Sequence, residues 1–176
     1  MAAVTTRDVA RVAEVNEVTI FRHFGDKAGL ALAAVRAFQP VDTIDGYRPV
    51  IDTSTPQRCA ADLSQYLLFL YRQMRQHPEL LQFGLSDAAR HPEVLNEVRK
   101  IPDAAQRMLR SAFDQVAPLL RREVDIDVEV LGLLGLILML ATWRLRSWIA
   151  DDERQVETMI VARLRPLLRA LDDQEV

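Results

Sequence analysis

Between Val130 and Trp143 the chain runs 14 residues without a charge, and most of them are Leu, Ile, Val or Met. That is short of the ~18 apolar residues a membrane span needs. The run reads as part of a helix from about Val128 to Ala150, with Asp125 and Asp127 flanking its start and Trp148 and Ile149 extending its apolar list. A helix this apolar has to be covered on nearly every side. One monomer rarely covers both sides of a peripheral helix, so a subunit interface is the natural second cover. Gly132 and Gly135 inside it are spaced for close helix packing rather than for holding a nucleotide.

Helical spacing recurs along the chain. Asp152 to Leu171 places Val156, Met159, Ile160, Leu164, Leu167 and Leu171 on one face, with Arg154, Arg163 and Arg169 largely elsewhere. Gln57 to Gln76 carries the stripe Leu63, Tyr66, Leu67, Leu70 and Met74; Leu68, Phe69 and Tyr71 add apolar surface outside it. Pro78 opens a helix to about Ala89, and Pro92 opens one toward Lys100, each using proline where its missing N–H has no partner to lose. Pro102 then predicts a break. A further helix is expected from Asp103 to about Glu123, with Met108, Leu109, Ala112, Phe113, Val116 and Leu119 inward and a kink at Pro118. Apolar residues make up 49% of the chain, Gly and Pro are sparse, and β-type alternation is hard to find. The fold class is therefore all-α.

The N-terminal stretch is built differently. Thr5 or Thr6 can cap a short helix in which Val9, Val12 and Ala13 share a face. Glu14-Val15 makes a turn, and Asn16 is a strong cap for a second helix ending at Phe24. Ile20 and Phe24 point inward there, leaving Glu17, Val18, Thr19, Arg22 and His23 outward. A short helix with one buried edge and small, polar and basic groups on the other suits the DNA major groove. Asp26 caps a third helix to Phe38, with Leu30, Val35 and Phe38 apolar. Lys27 occupies its first turn, where the helix dipole prefers an acid, so a phosphate partner explains the cation better.

Val9-Ala10, Ala13-Glu14-Val15-Asn16, Thr19-Ile20-Phe21-Arg22-His23-Phe24 and Asp26-Lys27 with Leu30 together resemble the DNA-binding signature of the tetracycline-repressor (TetR) family, over roughly residues 5 to 35. The resemblance implies an N-terminal helix-turn-helix domain (1–38), here followed by a linker (39–56), then a helical ligand-binding and dimerisation domain (57–176). It implies that Thr6, Thr19, His23 and Lys27 hold the phosphate backbone. Glu17, Val18 and Arg22 would face base edges: Arg22 toward guanine, Glu17 toward a cytosine amino group, Val18 toward a thymine methyl. It also implies a homodimer, joined through roughly 128–171 as a four-helix interface, on a pseudo-palindromic double-stranded operator. The chain departs from the family in three places. Glu14 stands where the family usually has Gly. Phe21 stands where it usually has Tyr, whose hydroxyl touches a phosphate. Only Met1-Ala2-Ala3-Val4 precede Thr5, where the family has a full helix, so the domain is expected to lack its first helix.

Charge adds little. Residues 1–38 carry Arg7, Arg11, Arg22, Lys27 and Arg36 against Asp8, Glu14, Glu17 and Asp26, one net positive charge, while the whole chain is at −3. A helix-turn-helix dimer needs only a few placed phosphate contacts. Cys59 is the sole cysteine and suits a reducing cytoplasm as a buried structural thiol. His77-Pro78-Glu79 and His91-Pro92-Glu93 read as helix starts with an acid in the first turn, in preference to a metal site. No residue set makes an active site, and no cofactor, metal or membrane partner is expected. Tyr66, Phe69, Met74, Phe83, Met108, Met139 and Trp143 are the candidates to line an apolar effector pocket. The expected function is a ligand-responsive regulator, a repressor released by a small apolar molecule. The alternative is a dimeric helical ligand-binding or protein-interaction module whose DNA binding is impaired by the absent first helix.

Overall fold

The structure, a computed structural model, describes residues 5–86, 91–150 and 152–168. The expected helix end at Ala89, together with Arg169 and Leu171, falls outside them. In chain order the helices are α1 (Thr6–Val12), α2 (Glu17–Phe24), α3 (Lys27–Phe38), α4 (Val41–Gly46), α5 (Pro56–Gln76), α6 (Pro78–Ser86), α7 (Pro92–Val116), α8 (Ile126–Leu145) and α9 (Glu153–Leu164). No strand occurs among the described residues, so the fold is all-α as the spacing requires. An antiparallel bridge between Leu120 and Leu168 ties the chain after α7 to the chain after α9.

Local hydrogen bonds set the helix starts. The Asp26 carboxylate accepts from the Gly29 N–H at 2.8 Å to open α3, and the Thr55 hydroxyl accepts from the Arg58 N–H at 3.2 Å to open α5. Asp125 and Asp152 do the same for α8 and α9, each accepting from two N–H groups of the first turn. These bonds satisfy donors that a helix cannot satisfy internally.

The body is organised around α5, which packs on α7, α8 and α9. Leu63, Tyr66, Leu67, Leu70 and Tyr71 of α5 meet Met108, Leu109, Phe113 and Val116 of α7, Leu133, Ile137 and Leu140 of α8, and Val156, Ile160 and Leu164 of α9 in one buried cluster. The 39–56 segment contributes to the same core. Ile44 of α4 and Ile51 are buried in it, α4 lies on α7, and the Tyr47 ring stacks on Phe69 at 3.9 Å. Cys59 is fully buried, and burial pushes its thiol up to about 11, so thiolate chemistry is closed to it.

The structure corrects several sequence expectations. α7 does not break at Pro102; it runs unbroken from Pro92 to Val116. Proline removes a helix hydrogen bond and crowds the preceding turn, at about 3 kcal/mol. Val94 and Glu97 are buried before it and Ala104, Ala105 and Met108 after it, so packing on both sides of the proline keeps the helix continuous. Pro102 itself is exposed. Pro102→Ala is therefore expected to stabilise the protein by about 1–3 kcal/mol, read as a raised urea midpoint; an unchanged midpoint would mean that the proline costs this helix nothing. At Pro118 the helix stops rather than kinks, and Ala117–Leu119 is a 3-10 turn. α8 ends at Leu145 instead of Ala150, because Ser147 takes a left-handed conformation (φ 58°). Phe38 is 63% exposed. Arg36 and Gln39 both bond Glu97 on α7, which turns Phe38, two positions from Arg36, away from the body.

At 20 residues α8 is longer than its uncharged run, and by length and composition alone it could cross a membrane. Its stripe Val130, Leu133, Ile137, Leu140 belongs to the core, and its first turns form ion pairs with α7 (Arg110–Asp127) and α9 (Arg163–Glu129). The other side is apolar too. Leu131 is 68% exposed, Leu138 and Trp143 about half as much, and a Cβ added at Gly132 or Gly135 would meet nothing.

Candidate nucleic-acid interface

The first helix begins with a reciprocal cap. The Thr5 hydroxyl oxygen accepts from the Asp8 N–H at 3.2 Å, and the Asp8 carboxylate accepts from the Thr5 N–H at 3.1 Å and from its hydroxyl at 2.7 Å. Those bonds hold the Asp8 carboxyl below its ordinary range. α1 buries Ala10 and half-buries Val9. Val12, expected on the same inward face, is 76% exposed. The major packing partner of α1 is α2, and Val12 lies in the last turn of a helix only 7 residues long, where α2 does not cover it.

The turn is closed by the Val15 N–H donating to the Ala10 carbonyl at 3.0 Å. Closing it so tightly puts Glu14 at φ 55°, in the left-handed region. A side chain there costs about 1–2 kcal/mol, which is the physical meaning of Glu where the resembling family usually has Gly. Glu14→Gly is expected to stabilise the protein by about 1 kcal/mol, seen as a higher thermal midpoint. A fall would mean that the Glu14 side chain makes up for its own strain.

α2 starts where Asn16 Oδ1 accepts from the Val18 N–H at 2.9 Å. It ends at Gly25 (φ 79°), whose N–H donates to the Phe21 carbonyl at 2.9 Å. Ile20 is 6% exposed and anchors the helix. Phe24 does not join it: the ring is 37% exposed and tilts against His23 with centroids 6.3 Å apart. Phe24 is the last residue of α2, directly before the Gly25 reversal, so less of the body closes over it than over Ile20, one turn earlier.

The candidate reading residues divide into two groups. Val18, Arg22, His23 and Lys27 are exposed. Thr6, Glu17 and Thr19 are half-buried, Thr19 thus less outward than expected. Thr6 and Glu17 also meet each other: the Thr6 hydroxyl donates to Glu17 Oε1 at 2.7 Å across the α1–α2 crossing. Beside them an open groove of about 440 Å³ is lined by Arg7, Asp8, Ala10, Arg11, Val15, Asn16 and Glu17. Arg7 and Arg11 are not among the residues that the sequence singles out for DNA. Their signal was four-residue spacing, which sets two cations on one face of α1.

A second polar centre joins the reading head to the body. Glu97 of α7 is 5% exposed and accepts from Arg36 Nε at 3.1 Å, Gln39 Nε2 at 2.9 Å and Lys100 Nζ at 2.7 Å. The Lys100 and Gln39 hydrogen bonds, with Arg36 behind them, hold its carboxyl down to about 2. α3 packs against α2 at one end and α7 at the other, so this cluster lies on the path between the two ends of the molecule.

The seven candidate pocket residues are only partly brought together. Tyr66 and Phe69 share Tyr47 as ring partner, Met108 is fully buried in the core, and Met74 and Met139 are half-buried against it. Phe83 is half-buried on α6, and Trp143 is 37% exposed on α8. His91 Nδ1 lies 3.9 Å from Glu93 Oε1 at the start of α7.

Residues 1–34 match the family model for bacterial regulatory proteins of the tetR family. Among solved structures, one from Rhodococcus sp. assigned to the TetR-family transcriptional regulators superposes with a TM-score of 0.70 at 16% identity. The superposition covers 96% of this chain and 90% of that one, a likeness of fold. No curated protein matches.

Proposed function

We infer, from the match of residues 1–34 to the tetR-family model and from the likeness of fold, that this protein is a DNA-binding transcriptional regulator of that family, working as a homodimeric repressor released from its operator by a small apolar effector. The observation that carries the reading is the two-sidedness of α2. Ile20 locks one edge into the protein, while Val18, Arg22 and His23 stand out from the other. Arg22 suits a guanine edge, Val18 a thymine methyl, and His23 and Lys27 flanking phosphates. Two such helices would enter successive major grooves about 34–36 Å apart on a pseudo-palindromic site.

The second apolar face of α8 supports the dimer. Leu131, Gly135 and Leu138 line up one turn apart opposite the core stripe, and Met159 of α9 is 40% exposed. Two copies of α8 and α9 packed on each other would remove this surface from water. For release, an effector held in the body would change the pose of α3 and with it the spacing of the two heads. The free thiol at Cys59 fits a cytoplasmic protein.

The test is binding to the DNA upstream of its own gene across a salt series. A specific dimer neutralising six or more phosphates should lose roughly 10³-fold or more in affinity between about 50 and 200 mM salt. A scrambled duplex should bind far more weakly at every salt. The exposed Val12 and Phe24 favour a second reading, a dimeric helical module whose head holds DNA weakly. Equal, shallow salt dependence on both duplexes would select that reading instead.

A further inference from the structure

We propose that Thr6 is a positioning residue for Glu17, and that the pair selects cytosine at one position of each half-site. The inference rests on the DNA-binding reading above and departs from the phosphate role that the family resemblance gives Thr6. The Thr6 hydroxyl is already committed, donating to Glu17 Oε1 at 2.7 Å, and the two residues are half-buried where α1 crosses α2. A hydroxyl has one proton to donate. While Thr6 holds the carboxylate it has none for a phosphate oxygen.

The bond also settles what Glu17 can read. With Oε1 held, the carboxylate is fixed at the first position of the recognition helix, and Oε2 accepts no hydrogen bond among the described residues. An ionised carboxylate is acceptor-only. In the major groove it is repelled by guanine O6 and N7 and by thymine O4. Adenine offers N6–H beside the acceptor N7, a pattern suited to an amide. Cytosine offers N4–H with no acceptor next to it on the ring edge. A fixed carboxylate therefore discriminates chiefly by exclusion, and cytosine is the base it leaves. A freely rotating one could swing toward solvent and tolerate any base.

The experiment is selection from a randomised duplex pool by wild type, Thr6→Val, Thr6→Ser and Glu17→Gln, with thermal melts showing that each variant is folded. Wild type should enrich cytosine about tenfold at one position per half-site. Glu17→Gln should move that preference to adenine. Thr6→Val should flatten it to within about threefold among the four bases while leaving the other positions unchanged, and Thr6→Ser should keep it. Uniform weakening of all sequences by Thr6→Val, with the cytosine preference intact, overturns the proposal and leaves the DNA-binding reading standing. Failure of wild type to enrich any sequence overturns both.

Discussion

In the proposed homodimer, Leu131→Glu is expected to separate the two subunits and to lower operator affinity by more than about 100-fold. Leu131 is 68% exposed in the protomer and lies on the stripe Leu131, Gly135, Leu138, opposite the residues that α8 gives to the core. A carboxylate there would sit in an apolar seam, beside its own copy when the seam is two-fold. The protomer loses little, since the side chain contributes nothing to the buried cluster. The DNA loses one of two linked heads, and with it the roughly 10²–10⁴-fold gained from bivalent binding. Gly135→Val is the companion change: a Cβ at Gly135 meets nothing within the protomer but would hold two α8 helices apart. Sedimentation of wild type and both variants reads the first effect, and fluorescence anisotropy on a labelled duplex the second. A monomeric wild type, or a Leu131→Glu variant that stays dimeric, contradicts the account of α8.

Glu97 gives the second large effect. Its carboxyl, ordinarily at 4.5, is held at about 2 in the folded protein. A depressed carboxyl adds stability that is fully present above its unfolded value and is lost as pH falls through the folded one. Because Arg36 and Lys100 are mostly solvent-exposed and screened, that contribution is about 1–2 kcal/mol. Glu97→Gln should thus unfold about 1–2 kcal/mol more easily than wild type at pH 7. The gap should narrow as pH falls below about 4.5 and close near 2, as read by urea unfolding across pH. Operator binding should weaken as well, since Arg36 and Gln39 bring the end of α3 to α7 through this carboxylate. A gap that stays constant down to pH 2 would mean that Glu97 acts by shape and not by charge.

What could be read in the sequence was local. Asn16 and Asp26 cap helices because each bond closes within two or three residues, and Asp125 and Asp152, legible only as helix starts, cap theirs in the same local way. The turn expected at Glu14-Val15 forms, with Glu14 in the left-handed region. The apolar stripe of α5 and, Met159 apart, that of α9 mark core faces because helical period sets them, whereas α8 is apolar all round and its period names no face. What could not be read depends on how elements cross. The Thr6–Glu17 bond spans two helices and 11 positions. Glu97 is not among the residues that the sequence singles out, although it falls three residues after Val94 on the inward side of α7, and a charge at that register was the available signal. Pro102 stays helical because packing on both sides outweighs a local penalty. Val12 and Phe24 satisfy helical spacing and yet lie open, because spacing names a face without saying what covers it.

The central claim is that α2 reads DNA in pairs, and hydroxyl-radical footprinting of the DNA upstream of the gene tests it most directly. Wild type should protect two patches on one side of the duplex, about 34–36 Å apart from centre to centre, and Arg22→Ala should weaken both together. Protection that is absent, or that follows the DNA ends on unrelated duplexes and ignores Arg22, would contradict it.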